Sequence, residues 1–384
     1  MSHNTVIFVA NDFGFGPISR THTVARALKN ARPELTVNVF TSGINNYLFT
    51  DDDIGMKIVA NLRDKEAIKN QFDSYSPETT LVVSTMNRFA LSAAREQGFR
   101  TVVLDGLFWF WKKRPQEYSF ADYEFRFILP WQLEKYKNKE NIFYFAGPVE
   151  IEPNRARAPQ NKNVLVTLNG YMTPFYKPEH DIYLEWMTHV INALQSSQNL
   201  IVTGNKIIRN KIMPTLHTGI RFNSMGKDEY LSTLQYSRAV LLNGGSNSFL
   251  EALVIGMPFL FSLPSNQSQY ELIHKLSIQT KQSMEFWCPA LSLIPHHARF
   301  RRFTSESEAI DYWSGELRSY LAQIEKKSIA KAIAEQIVAN LEIVQTDPNF
   351  KKLMKISDRS RTASGEVCDK LLEIIEAFDA LPLA

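Results

Sequence analysis

The sequence predicts an α/β protein built from two successive domains, each a parallel sheet flanked by helices. Three observations carry this prediction. Short apolar, β-branched runs alternate with helical segments from the amino terminus onward. The alternation breaks over a polar, proline-bearing stretch near residues 147–163. It then restarts with the same rhythm and runs until the chain becomes helical and highly charged beyond about residue 305.

The first series opens with TVIFVA (5–10), followed by a glycine-bearing loop. Pro17 suits the first turn of a helix, where its missing N–H costs nothing, and Ile18, Val24, Ala25 and Leu28 give that helix one apolar face. TVNVFTS (36–42), TLVVST (80–85) and TVVLDG (101–106) read as further strands. Each is a near-continuous apolar run, as strands buried on both faces are. GPVEIEPNRARAPQNKN (147–163) holds three prolines among polar residues and reads as a linker. NVLVTLN (163–169), NLIVTG (199–204), AVLLNGG (239–245) and PFLFSLP (258–264) are the strands of the second series. The expected boundaries are 1–147, a linker at 148–163, 164–345, and a helical segment at 346–384. In open sheets of this kind ligands sit at the carboxyl ends of the strands.

Bulk properties exclude several function classes. The 384 residues carry 43 basic and 40 acidic side chains, a net charge of only +3, which disfavours nucleic acid as a partner. The cluster Arg299, Arg301 and Arg302 reads as a solvated surface patch. Cys288 and Cys368 are far apart, with neither metal-ligand spacing nor a disulfide framework, which points to a reducing compartment. The amino terminus lacks the features of a secretory signal, and the longest apolar stretch, Ala252 to Pro264, is broken by Gly256 and Pro258. That stretch falls short of the roughly 20 residues a membrane span needs. A cytoplasmic location is the default. No phosphate loop of the Gly-x-x-x-x-Gly-Lys-Ser/Thr type occurs. Asp51-Asp52-Asp53 formally contains an Asp-x-Asp, but its polar surroundings read as a solvated turn.

The most informative segment follows the third strand of the second series. Gly244 and Gly245 allow a ligand to approach the backbone closely, and the amides of Ser246, Asn247 and Ser248 then open a helix. A helix amino terminus carries about half a positive charge and binds anions without a metal. Glu251, one turn further in, is placed to accept hydrogen bonds from ribose hydroxyls. A second reading needs no ligand: Ser248 and Glu251 have the spacing of a capping box.

The whole segment, NGGSNSFLEALVIGMPFLFSLPSNQSQ, resembles the donor-site signature of inverting GT-B glycosyltransferases, which include UDP-glycosyltransferases and the N-acetylglucosaminyltransferase of peptidoglycan assembly. Gly245, Asn247, Ser248, Glu251, Gly256 and Pro258 fall in step with that pattern. Asn243 stands where the plant-type pattern has histidine, and Ser268-Gln269 replaces its acid-Gln pair. The resemblance implies two Rossmann-like domains facing across a cleft, with the C-terminal helices packing back on the N-terminal domain. It assigns Asn243 to a phosphate contact, Glu251 to the ribose and Gln269 to sugar hydroxyls. It also brings Asn169, Gly170 and Thr173 near the diphosphate, and Ser224 and Met225 near the pyrimidine. The implied co-substrate is a UDP- or dTDP-sugar, with no other cofactor and no metal. No glutamate stands eight positions beyond Glu251, as the retaining enzymes' paired-glutamate pattern has, so inversion is favoured.

The loop after the first strand resembles the family's Gly-x-Gly-His-x-x-Arg motif at Gly14, Gly16 and Arg20, with Pro17 in the histidine position. In many relatives that histidine deprotonates the acceptor, a role typically contributing about 10²–10⁴ in rate. Asp12 at the strand end and His22 on the helix are the available replacements. Asp12 also suits a loop cap, and His22 a satisfied core position. Arg20 is placed to hold an anionic group or to line the rim. Phe108, Trp109, Phe110 and Trp111 form a run in which all four rings cannot face one core. Phe108, Trp109 and Trp111 are therefore candidates for an aromatic or apolar small-molecule acceptor, with packing against the linker as the alternative.

The function implied is hexosyl transfer to a small acceptor. A nucleotide-sugar epimerase or hydrolase of the same fold, and a non-catalytic nucleotide-binding homologue, remain alternatives.

Overall fold

The computed structural model describes residues 4–13, 16–43, 54–59, 61–110, 114–151, 162–168, 171, 173, 175–293, 303 and 306–379. Gly14, Trp111, Asn169 and Gly170 lie outside the described residues, as do Asp51–Asp53, the three-arginine cluster and most of 148–163. The chain divides into two compact units, Met1–Glu152 with Ile356–Ala384, and Pro153–Lys355.

The first unit is a seven-stranded, all-parallel sheet in the order β3-β2-β1-β4-β5-β6-β7. Its strands are β1 (Thr5–Ala10), β2 (Thr36–Thr41), β3 (Gly55–Ile58), β4 (Thr80–Thr85), β5 (Arg100–Asp105), β6 (Tyr123–Ile128) and β7 (Ile142–Ala146). Side chains alternate across a strand, so β1 is apolar on both sides for two different reasons. Val6 and Phe8 face a cluster with Ile18, Val24 and Leu28 of α1 (Gly16–Ala31). Ile7 and Val9 face Ile68 and Phe72 of α2 (Lys65–Phe72) and Ala90, Ala93 and Ala94 of α3 (Arg88–Glu96).

The second unit repeats the plan with five parallel strands in the order β10-β9-β8-β11-β12. They are β8 (Asn163–Thr167), β9 (Asn199–Thr203), β10 (Arg221–Asn223), β11 (Ala239–Leu242) and β12 (Phe259–Phe261). Helices α4 (Ile182–Gln195), α5 (Lys206–Ile212), α6 (Lys227–Tyr236), α7 (Ser246–Ile255) and α8 (Gln267–Thr280) connect them or follow them. After the short α9 (Met284–Trp287) come α10 (Glu306–Leu321), α11 (Lys326–Thr346) and α12 (Pro348–Asp379).

From Ile356 onward α12 belongs to the first unit. Val367, Leu371, Ile374, Ile375 and Phe378 recur at helical spacing and join the cluster on the α1 side of the first sheet. The C-terminal helix therefore packs back on the N-terminal domain, and the two-domain α/β architecture is the one the sequence predicts.

Four strands were not legible in the sequence. β3 is an exposed edge strand, and β10 has only three residues. β6 carries Glu124 and Arg126 inside its run, and β7 is a short aromatic strand behind a polar segment. The strand predicted at 239–245 ends at Leu242, where the backbone turns through Gly244. Among the described residues, no helix is long and apolar enough to cross a membrane.

Candidate functional site

In both units strand order reverses beside the first strand, between β1 and β4 and between β8 and β11. The crevice outside the carboxyl ends of such a pair is where open α/β sheets hold ligands. In the second unit that end carries the Asn243–Ser248 turn. Gly244 has φ +72°, and a Cβ there would lie 2.9 Å from Gln269 Cβ, so conformation and packing both demand glycine. Gly245 is the N-cap of α7, with no side-chain cap, and the helix starts at Ser246. Ser248 is thus inside the helix, and the capping-box reading fails for that reason. Gly245 to Ser248 are half-buried, whereas Phe249 to Ile255 are fully buried. The helix is buried on every side except at the turn whose amides lack intrahelical acceptors. Gly256, with φ +77°, closes it.

Asn243 is held in a buried polar network. Its N–H donates to Thr167 Oγ1 (3.2 Å) at the end of β8, and its Nδ2 donates to the Tyr183 hydroxyl (2.5 Å). Its Oδ1 accepts from Gln269 Nε2 (3.0 Å), while Gln269 Oε1 accepts from the Ser265 N–H (2.7 Å). Both side-chain amides sit beneath the helix start and hold the loops after β11 and β12 together. Burial pushes the Tyr183 hydroxyl well above its ordinary range, so it serves as a neutral hydrogen-bonding group. Glu251 is also buried and forms an ion pair with Lys227, the first residue of α6. Thr173 is buried and accepts the Phe175 N–H (3.2 Å); Met225 is half-buried just before α6.

In the first unit the corresponding strand ends hold Asn11, Asp12 and Met86. Met86 has φ +59°, rare for a residue with a side chain, and such strain clusters at functional sites. Its carbonyl accepts from Asn11 Nδ2 and from the Tyr118 hydroxyl, both at 3.0 Å. Asp12 accepts from Arg63 Nε at 2.9 Å and keeps 17% of its side chain exposed. His22 lies in the second turn of α1, buried, with Nδ1 3.1 Å from Glu150 Oε2; Arg26 donates to the other Glu150 oxygen at 2.7 Å. Of the two candidate bases, only Asp12 lies in the loop at the strand ends. Gly16 and Pro17 open α1, and Pro17 is buried.

Arg20 is buried with its guanidinium 5.1 Å from the centre of the Phe127 ring. Burial pulls it down to about 10, against the opposing influence of Asp105. Asp105 accepts from Arg114 Nε (2.8 Å), and Glu124 binds Arg114 and Arg126 at 2.7 and 2.6 Å. Phe108 lies over both arginines and packs edge-on against Tyr136 and Tyr144. Trp109 is buried, so the aromatic run divides between packing and partial exposure. This charge network was not legible in the sequence, because Asp105 comes beside Arg126 only when β6 pairs with β5, and Arg114 reaches both Asp105 and Glu124 from the segment between the two strands. Gly106 is the tight point: a Cβ there would sit 1.7 Å from Arg20 Nη1 and 3.0 Å from Met86 Sδ. Gly106→Ala is expected to cost about 1–3 kcal/mol, as overpacking does. An unchanged urea midpoint would contradict the packing.

No family model and no curated protein matches the chain. Solved structures do. The spinosyn forosaminyltransferase SpnP is 13% identical, with a TM-score of 0.58, covering 98% of this chain and 100% of its own. TcCGT1, solved with UDP, is 11% identical at a TM-score of 0.57, covering 98% and 100%. Phytolacca americana UGT2, solved with UDP-2fluoro-glucose and pterostilbene, is 11% identical at 0.55, covering 98% and 99%. Likeness over nearly the whole of each chain, at so low an identity, is likeness of fold: this chain has the two-domain GT-B fold.

Proposed function

We propose that the protein is a glycosyltransferase. It moves a sugar from a UDP- or dTDP-sugar to a small acceptor with an apolar or aromatic part, with inversion and without a metal. The observation that carries the reading is the start of α7: half-buried residues whose amides open the helix behind two glycines, at the carboxyl end of β11 and beside the point where strand order reverses. Amides so placed match a pyrophosphate. The ligands in the solved relatives of this fold support the same class of donor, since TcCGT1 holds UDP and the Phytolacca americana protein holds UDP-2fluoro-glucose.

The acceptor oxygen attacks the anomeric carbon as the bond from that carbon to the phosphate oxygen breaks. Asp12 takes the acceptor proton, held in place by Arg63. The leaving diphosphate is met by the α7 amides; one preorganised donor of this kind contributes roughly 2.7–4 kcal/mol to a transition state. Phe108 and its arginines supply the aromatic, polar-edged surface expected around a small acceptor.

The test is a thermal-shift panel of nucleoside diphosphates and nucleotide sugars. A true donor nucleotide at about 100 times its Kd adds about 2.7 kcal/mol of stability. No response to any uridine or thymidine diphosphate would defeat the reading. Turnover of donor without an acceptor would instead mark an epimerase or hydrolase.

A further inference from the structure

The second unit carries a groove of about 1050 Å³ along α4, bounded also by the end of α5, the turn after it and the start of α11. That is the size of a small-molecule pocket. None of its lining residues belongs to the α7 turn or to the network around Asn243. Leu184, Ala193 and Ile212 supply its apolar lining. Its two carboxylates are already matched: Asp181 holds Lys211 at 2.6 Å, and Glu185 holds Lys326 at 2.5 Å. Lys327 and Lys331 line the groove, exposed, and among the described residues neither has a carboxylate partner. His189 and His217 add two imidazoles. Asn192 fixes the backbone at His217: its Nδ2 donates to the Thr215 carbonyl and its Oδ1 accepts the His217 N–H, both at 2.9 Å.

The two lysines do nothing for the fold. Lys327 lies in the first turn of α11, where the helix dipole disfavours cations, and Lys331 stands one turn on, where like charges repel. Glu325 spends its carboxylate on capping the Lys327 and Ser328 amides. Burial, and then the ammonium groups of Lys326 and Lys327, pull the His189 imidazole below its ordinary value, against Glu185 and Glu325. Local arrangements that cost stability without a return in packing belong to functional sites.

We propose that this groove is a second ligand site, for a small molecule carrying two or more phosphoryl or carboxylate groups. Lys327 and Lys331, whose Cβ atoms stand about 5–6 Å apart as residues four apart on a helix do, meet two anionic groups as point charges. His189 and His217 donate from α4 and from the turn after α5, and the apolar lining takes the body of the ligand. Asp181 and Glu185, which would repel an anion, are neutralised by lysines of their own. A bound anion also cancels the repulsion between Lys327 and Lys331. The site stands apart from the donor reading and does not depend on it.

The test is calorimetric titration of the full chain with inorganic tripolyphosphate and with citrate. The wild-type protein is expected to bind at least one of them. The double variant Lys327→Glu, Lys331→Glu is expected to weaken that ligand by at least tenfold, the value of one hydrogen bond to a charged group. Lys351→Glu with Lys352→Glu, the same change of charge on two exposed lysines of α12, is expected to leave the affinity within about threefold. Equal weakening by the two double variants would mean that net charge alone acts, and overturns the proposal. The groove variant should melt no lower than the wild type, because glutamate suits the start of a helix. Should it fail to fold, Lys331→Met replaces it, with a loss of threefold or more expected. In the wild type the bound anion is expected to raise the His189 titration followed by NMR; an unmoved titration puts the anion elsewhere and overturns the proposal. So does polyglutamate binding where neither small anion binds, which would make the groove a docking surface for an acidic protein. UDP separates the two sites. The groove variant is expected to keep the wild-type affinity for UDP within about threefold, and a parallel loss of UDP and anion overturns this inference alone. A wild type that binds no UDP sinks the donor reading and leaves the anion titrations decisive.

Discussion

Lys227→Met is expected to destabilise the second unit by about 3–5 kcal/mol, because it leaves a carboxylate buried without its counter-charge. For a domain of this size that is a fall in melting temperature of roughly 10 °C. Glu251→Met should cost distinctly less. The surviving lysine has a four-carbon stem and is 15% exposed, so its ammonium can turn to water, whereas the Glu251 carboxylate is 3% exposed on a buried helix. The asymmetry is the informative outcome. Equal melting temperatures for the two variants, measured by scanning calorimetry, would mean that the pair is solvated and that Glu251 is not the sealed group described above.

Ser246→Pro is expected to separate ligand binding from stability. Ser246 is the first residue of α7, and the preceding Gly245 has the extended conformation (φ −67°, ψ 133°) that a residue before proline adopts. Proline is favoured at this position, so the helix should survive and the melting temperature should stay within a degree or two. What disappears is one N–H of the proposed diphosphate cradle. Loss of a hydrogen bond to a charged group corresponds to roughly tenfold to a hundredfold in affinity for UDP. The titration and the melt together check it. An unaltered Kd in a folded variant would show that this amide does not face the ligand.

Different parts of the site were legible in the sequence to different degrees. The Gly244-Gly245 turn and the α7 start were legible because strand, glycine and helix signals follow one another along the chain. The roles of Asn243 and Gln269 were not. Their side chains bond to each other, to Tyr183 and to Ser265, and these residues come from three separate segments. Lys227 gave no signal at all, since it lies 24 positions from Glu251 at the head of a different helix. His22 was read both as a base and as a core residue; the structure buries it against a half-buried partner, Glu150, which no local pattern connects to α1. The strain at Met86 has no sequence signature, because it arises from the turn that carries β4 into α3.

By itself the sequence determined which segments are strands buried on both faces, which helices carry one apolar stripe, and where a helix would open behind two glycines. These follow from interactions between residues a few positions apart, and periodicity records them. Tertiary structure alone decided which charges meet, which candidate base is sealed in the core, and which face of the last helix closes the first sheet. Those outcomes depend on strand order and on burial, which bring distant residues to within hydrogen-bonding distance and set the cost of leaving any of them unpaired.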